Sequence, residues 1–163
     1  MKILNVSEAL VLVDDDVFKW ASQLKWSLMS GYVKSQDRKR NKLLILHRII
    51  NKTPKWLQTD HINGDKLDNR RCNLRSATSS QNQGNSGPNK KGSSKYKGVR
   101  HSVRDKILKK PWMASIHQDG SLKHLGYYKT EIEAAHSYDK AALKHFGKYA
   151  WLNFAEEVKA GDR

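Results

Sequence analysis

Asp60-His61-Ile62-Asn63-Gly64-Asp65-Lys66-Leu67-Asp68-Asn69-Arg70-Arg71-Cys72-Asn73-Leu74-Arg75, followed shortly by Gln81-Asn82, is the stretch on which the reading of this chain turns. It sets Asp, His and Asn at short spacings and has no apolar period, so it is not there to fill a core. Asn63-Gly64-Asp65 is a turn signal, because Asn and Gly both tolerate positive φ. Leu74 to Ala77 reads as a return strand, and Thr78 or Ser79 as the cap of a helix that carries Asn82. Residue types of this kind suit phosphodiester hydrolysis. That reaction needs an activated water, a stabilised leaving 3′-oxygen and positive charge at the phosphate. A hard divalent ion on oxygen ligands supplies the last two. A histidine with a pKa near ~6.5 supplies the first. One local difficulty stands. Asp60 and His61 are adjacent, so on a strand they point to opposite sides, and only a bend near Asn63-Gly64 lets both face one substrate.

Basic residues surround the stretch. The chain has 163 residues, enough for one ordinary domain or two small ones, with Lys plus Arg 31 against Asp plus Glu 16 and a net charge of +15. A cation of this size seeks a polyanion. No apolar run approaches a membrane span, and the basic residues lie in loops rather than along one amphipathic face. Nucleic acid is therefore expected as the partner, not a membrane. Met1-Lys2-Ile3-Leu4-Asn5-Val6 turns polar too soon for a secretory signal, so a cytoplasmic location is expected. The single cysteine, Cys72, excludes a disulfide framework and a four-Cys zinc site.

Taken in order, Ala9 to Val13 reads as a strand stopped by Asp14, Asp15 and Asp16, which open a helix with Val17, Trp20, Ala21 and Leu24 at helical spacing. Lys25 to Met29 and Tyr32 to Lys34 alternate like two strands joined at Ser30-Gly31. Ser35 to Lys42 is a basic loop. Leu43 to Ile50 is the strongest apolar run, either a buried strand or a short helix. Residues 83–95 have the composition of a linker, with a net charge of +3 and no large apolar side chain. Beyond them come three expected strands, 96–101, 111–117 and 122–128. A helix follows, entered through the capping box Thr130-x-x-Glu133, with Ile132, Ala135, Tyr138, Ala142 and Phe146 on one face and Gly147 at its end.

The spacing Asp60-His61-x-Asn63-Gly64, then Asn73-Leu74, Thr78 and Asn82, resembles the HNH endonuclease motif, most of all that of the phage and mobile-element class. The step from Asp60 to Asn73 is thirteen residues and from Asn73 to Asn82 nine, as in that class. The resemblance implies a ββα-metal hairpin in which Asp60 and Asn82 hold one divalent ion, Mg2+ or Mn2+. His61 is then the general base and Asn73 its orienter. It also gives His47-Arg48 a supporting or phosphate-contacting place. Zinc-bearing HNH variants use extra cysteine pairs, which this chain lacks, so no zinc is expected.

Tyr96-Lys97-Gly98-Val99-Arg100, Trp112-x-Ala114-x-Ile116, Leu125-Gly126-Tyr127-Tyr128, Thr130 to Ala142 and Leu152-Asn153-Phe154 resemble the AP2 DNA-binding domain. That family lays its three-stranded sheet in the major groove. The resemblance makes Arg100 and Arg104 the foremost DNA contacts, with Lys97, Ser115, His117, Lys123 and His124 on matching strand positions. Arg suits a bidentate contact with guanine, while Lys mainly meets phosphate.

The expected fold class is thus α+β: a ββα-metal nuclease hairpin tied by a flexible linker to a three-stranded antiparallel sheet with one helix. The expected divisions are an N-terminal β/α leader (1–46), a nuclease core (47–84), a linker (85–95), an AP2-like domain (96–154) and a tail (155–163). Together the resemblances imply a metal-dependent endonuclease cutting double-stranded DNA, a site-directed nickase of homing type, acting as a monomer with no protein partner. The rival is a non-catalytic DNA-binding regulator with a structural HNH-like region.

Overall fold

The computed structural model describes residues 1–37, 41–89, 91–102 and 109–157. The chain is mixed α+β and divides into two compact units, Met1–Asn82 and Gln83–Arg163.

The first unit opens with an antiparallel hairpin, β1 (Lys2–Val6) and β2 (Ala9–Val13), followed by α1 (Asp15–Ala21). Alternation buries Leu4 and Val6 of β1 with Val11 and Val13 of β2. β1 lies outside the expected elements. With Ile3 47% exposed, its own pattern is weak, and it becomes a strand only through its pairing with β2. α1 stops at Ala21, before Leu24, the last residue at the expected helical spacing, and Leu24 is exposed.

A three-stranded antiparallel sheet follows: β3 (Ser27–Met29), β4 (Tyr32–Asp37) and β5 (Lys42–Ile45), in that order. The apolar run 43–50 is divided between two elements. β5 ends at Ile45 and α2 (Leu46–Asn51) begins at the next residue. Leu46 and Ile50 lie four apart on one helical face and are both buried, whereas Leu43 on the strand is exposed. β6 (Gln58–His61) and β7 (Leu74–Ala77) then form a second antiparallel hairpin, and α3 (Ser79–Asn85) follows. The core of this unit joins Leu4, Val6, Val11, Val13, Val17, Ala21, Val33, Leu46, Ile50 and Leu74.

The second unit is built on an antiparallel sheet of order β10-β9-β8: β8 (Val99–His101), β9 (Trp112–Gln118) and β10 (Ser121–Tyr128). α4 (Glu131–Phe146) packs on one sheet face, and Thr130 and Glu133 form the expected capping box. Its buried face is Ala134, Ala135, Tyr138, Asp139, Ala142 and Phe146, while Ile132 is 52% exposed. The face is turned from the expected stripe because Asp139 belongs to it. Its carboxylate accepts the main-chain N–H groups of Asn153 and Phe154 and the Asn153 amide, each at 2.9 Å.

Gly98 has φ +75, and a Cβ there would come within 1.9 Å of the Tyr138 ring, so only glycine fits. Parts of the stretch with linker composition are fastened within this unit. Ser94 donates to Glu131 at 2.6 Å, Ser93 accepts from the His101 N–H, and the Gly84 carbonyl accepts from the Trp151 N–H. Among the described residues no helix is long and apolar enough to cross a membrane.

Candidate functional site

β6, β7 and α3 bring Asp60, His61, Asn73 and Asn82 onto one ββα arrangement. Within the hairpin, Asp60 pairs with Arg75 and His61 with Leu74. Cross-strand partners share a face, so Gln58, Asp60 and Arg75 lie on one side and Thr59, His61 and Leu74 on the other. Asp60 is 3% exposed and accepts from Arg75 Nε at 2.7 Å. On the same side Asn82 Nδ2 donates to Gln58 Oε1. Gln58 and Asp60 are two residues apart on the strand, a rise of about 7 Å. Asn82 is held there by the start of its helix. The Thr78 N–H donates to Gln81 Oε1 at 2.8 Å, and the Gln81 N–H returns to Thr78 Oγ1 at 3.2 Å.

His61 ends β6 on the opposite face, against α2. Its ring lies edge to face with His47, centroids 5.1 Å apart, and Tyr32 stands 5.0 Å from His47 and 6.3 Å from His61. Lys66 places its ammonium 4.3 Å from the Tyr32 ring centre. Burial drives the His47 pKa down to about 4, helped by the charges of His61, Arg48 and Lys34. Burial also holds His61 below the usual histidine value, and the Asn69 side chain with the carboxylates of Asp60, Asp65 and Asp68 opposes it. Both rings are therefore neutral at pH 7, the form in which an imidazole accepts a proton. Tyr32 and Asn69 had no site role in the sequence reading. Tyr32 precedes His61 by nearly thirty residues, and nothing local links them.

The segment from Ile62 to Asn73 is tied internally. Gly64 has φ 76 and donates its N–H to the His61 carbonyl at 2.8 Å. Asn73 is the central staple. Its Oδ1 accepts the Asn63 N–H at 2.9 Å, and its Nδ2 donates to Asn63 Oδ1 and the Asp68 carbonyl, both at 2.8 Å. Its own carbonyl accepts the Ile62 N–H at 2.8 Å. Asn73 thus holds the two residues directly after His61, whereas the side chain beside the His61 ring is Asn69. Asp68, 1% exposed, takes a bidentate contact from Arg70 at 2.7 and 2.6 Å, and this guanidinium keeps its carboxyl below the usual carboxylate range.

The N-terminal hairpin and α1 hold the same segment from outside. The Leu12 N–H donates to the Leu67 carbonyl at 2.9 Å, and its carbonyl accepts the Asn69 N–H at 2.8 Å. Arg71 reaches Asp14 and Asp16, at 3.2 and 2.6 Å. The Asp triplet therefore both opens α1 and docks the loop. Arg48 is turned inward. Its guanidinium donates to the carbonyls of Thr53, Pro54 and Leu57, so it braces the segment leading into β6.

The donor types at Asp60 and Asn82 are the hard oxygens that a divalent ion takes. They are one carboxylate and, with the Asn82 amide nitrogen occupied by Gln58, one amide oxygen. Among the described residues no group of three or more His, Cys, Asp and Glu is placed to hold a metal. A two-ligand protein site suits Mg2+, which keeps several of its waters.

In the second unit the expected DNA contacts fall into separate groups. The register sets Arg100 opposite Met113, Ser115 opposite His124, and His117 opposite Leu122. By alternation these share the sheet face away from α4. Tyr127, opposite Met113 and 4.7 Å from the His124 ring, joins them unforeseen. Lys123 pairs with buried Ile116 and so lies on the α4 side. Lys97 points its ammonium at the carbonyls of Gln83 and Gly84, at 3.1 and 2.6 Å, and burial lowers its pKa to about 8. Arg104 lies outside the described residues. A cavity of about 380 Å³ beside the sheet is lined in part by Arg100, Ser115, His117 and Leu122.

The HNH endonuclease family model matches residues 19–83, which contain all of β6, β7 and the site-bearing start of α3. An uncharacterized HNH endonuclease of Acanthamoeba polyphaga mimivirus is 37% identical over 144 residues, covering 83% of this chain and 71% of that protein. Dehydration-responsive element-binding protein 2A of Oryza sativa is 40% identical over 63 residues, 37% of this chain but only 21% of the rice protein. An ethylene-responsive transcription factor of Arabidopsis thaliana is 39% identical over 72 residues, 40% of this chain and 17% of its own length. No solved structure matches the chain.

Proposed function

The chain belongs to the HNH endonuclease family, and from that premise we propose that it cuts double-stranded DNA with His61 as general base and with Asp60 and Asn82 as the ligands of one divalent ion. The observation that carries this reading is the ββα arrangement itself. Asp60 shares one face of the hairpin with Gln58, which Asn82 contacts, and with Arg75, and His61 ends β6 on the other face, next to the turn at Asn63-Gly64, as a buried, neutral imidazole. His61 takes a proton from the attacking water. The new P–O bond forms as the bond to the 3′-oxygen breaks, and solvent returns a proton to that oxygen. When bound, the ion, Mg2+ in the first instance, supplies positive charge to the phosphate and the leaving oxygen. Asn73 acts through the loop, by fixing Ile62 and Asn63 next to the base. His47 keeps water and protons from the inner side of His61.

The second unit supplies DNA affinity as an AP2-like sheet, a reading supported by the matches to a plant element-binding protein and a plant transcription factor. Its contact face is Arg100, Ser115, His117 and His124, with Arg100 as the base-reading side chain. Tethering this reader to the cutter raises the effective concentration of DNA at the site. The protein then cuts at chosen places, in the manner of a homing nickase, and works as a monomer.

A supercoiled-plasmid assay tests the whole reading. Mg2+ yields nicked or linear product and EDTA yields none. His61→Ala lowers the rate by roughly 100- to 10,000-fold while the Kd for DNA stays within a factor of about two. Wild-type cleavage by His61→Ala overturns the assignment of the base. Cleavage unchanged in EDTA overturns the role of the ion.

A further inference from the structure

Trp56 is 83% exposed, more than any other large apolar side chain among the described residues. Such a residue is normally covered, because an indole carries a large apolar surface. It stands at the apex of a turn closed by the Leu57 N–H on the Pro54 carbonyl at 3.1 Å. The turn is stiff. Arg48 donates to the carbonyls of Thr53, Pro54 and Leu57, and Asn51 donates to Thr53 Oγ1, which also contacts the Thr59 hydroxyl. The backbone that carries the indole is thus already fixed, which limits the further entropic cost on binding to the side chain.

The charge of its own segment indicates the partner. Lys52 and Lys55, four residues and one residue before it, are both exposed, and the sequence 38–59 carries seven Lys and Arg with no Asp or Glu. A protein-docking anchor is ringed by other apolar side chains. Here one exposed aromatic lies in a basic segment close to exposed lysines, the combination that binds a nucleic-acid strand by stacking on bases while its phosphates are neutralised. The turn also runs straight into β6. Trp56 lies four positions before Asp60, at most about 14 Å of chain, or about four base steps.

We propose that Trp56 stacks on a nucleobase unstacked from the duplex beside the phosphate to be cut. This rests on the nuclease reading above. The substrate class it selects is DNA with an unpaired or easily unstacked base near the cleavage point. Unstacking is least costly at mismatches, bulges and pyrimidine–purine steps.

The test uses the full chain in EDTA, so that binding is measured without cutting. The probes are a random-sequence duplex of about thirty base pairs and the same duplex with one bulged base. Wild type binds the bulged duplex about 5- to 100-fold more tightly, the range expected of one base–aromatic stack. Trp56→Ala binds both duplexes alike, and Trp56→Phe retains most of the preference. Tryptophan emission falls on binding the bulged duplex, and this fall is absent in Trp56→Phe. A Trp56→Ala protein that keeps the wild-type preference overturns the proposal, as does a wild type with no preference. A wild type that prefers the bulge through Trp56 but cuts no plasmid in Mg2+ overturns the nuclease reading alone. One that cuts plasmid while Trp56→Ala binds and cuts as wild type overturns only the stacking role.

Discussion

The imidazoles of His47 and His61 meet edge to face, centroids 5.1 Å apart, one on α2 and the other at the end of β6. Burial holds the pKa values of both below the ordinary value of 6.5, and the charge of His61 lowers that of His47 further. His61 consequently stays a base in mildly acidic solution. The acid limb of a cleavage-against-pH profile is expected below pH 6.5. His47, with its pKa of about 4, is uncharged where His61 titrates, so His47→Gln is expected to leave that limb in place. A limb displaced to higher pH in His47→Gln would show that His47 acts on the protonation of His61.

The same burial makes folding pH-dependent. His47 takes up its proton near 6.5 when unfolded but only near 4 when folded. Between these values the unfolded chain binds more protons, so stability is complete above pH 6.5 and falls as pH drops toward 4. The loss is on the order of 2–3 kcal/mol for this residue. Urea melts at pH 7.5 and 4.5 should show it, with a smaller difference in His47→Gln.

Arg75 lies across the ladder from Asp60 and neutralises it at 2.7 Å, both side chains being largely buried. Arg75→Met leaves a buried carboxylate facing an apolar group, at a cost of about 3 kcal/mol. If Asp60 holds a divalent ion, Mg2+ recovers more stability in Arg75→Met than in wild type. Differential scanning fluorimetry over a Mg2+ series measures this, and equal Mg2+ responses in the two proteins would argue against Asp60 as a ligand.

Asn73→Ala removes three side-chain hydrogen bonds and leaves the Asn63 N–H and the Asp68 carbonyl without that partner. The expected cost is about 2–3 kcal/mol. Cleavage is expected to fall more than the drop in folded fraction explains, because the residues next to His61 lose their anchor. Thermal melts paired with single-turnover rates separate the two effects.

The short-range parts of this arrangement were legible in the sequence. The turn at Asn63-Gly64, the Thr130–Glu133 box and the Thr78 cap each depend on residues a few positions apart, and each forms. Relationships across the chain were not. Arg71 meets Asp14 over a separation of 57 residues, and Tyr32 reaches the two histidines from a different sheet. Asn69 reads locally as a turn residue, yet it is wholly buried because Leu12 takes its N–H. Lys123 shows a further limit. Alternation sorts a strand into two faces but does not say which one the helix covers, and only pairing with Ile116 places Lys123 beneath α4. Lys97 looked like a phosphate contact by position, whereas its ammonium is engaged by the carbonyls of Gln83 and Gly84.

Gly98→Ala should be among the most damaging single changes in the second unit. The added methyl must adopt φ +75 and would collide with Tyr138 at 1.9 Å. A loss above about 3 kcal/mol is expected from strain and displaced packing together. DNA affinity falls with it if the sheet is the reader, while melting of the first unit stays at its wild-type temperature. Calorimetry and anisotropy on the full chain test both statements.

Leu12 offers the loop after His61 nothing but backbone: one N–H to Leu67 and one carbonyl to Asn69. A bond of this kind is blind to side-chain identity. The leader can drift in sequence and still grip the loop, provided it remains an extended strand with Val11 and Val13 turned inward. Homologues can therefore diverge through their first residues while the register of the loop, and with it the position of His61, is inherited intact.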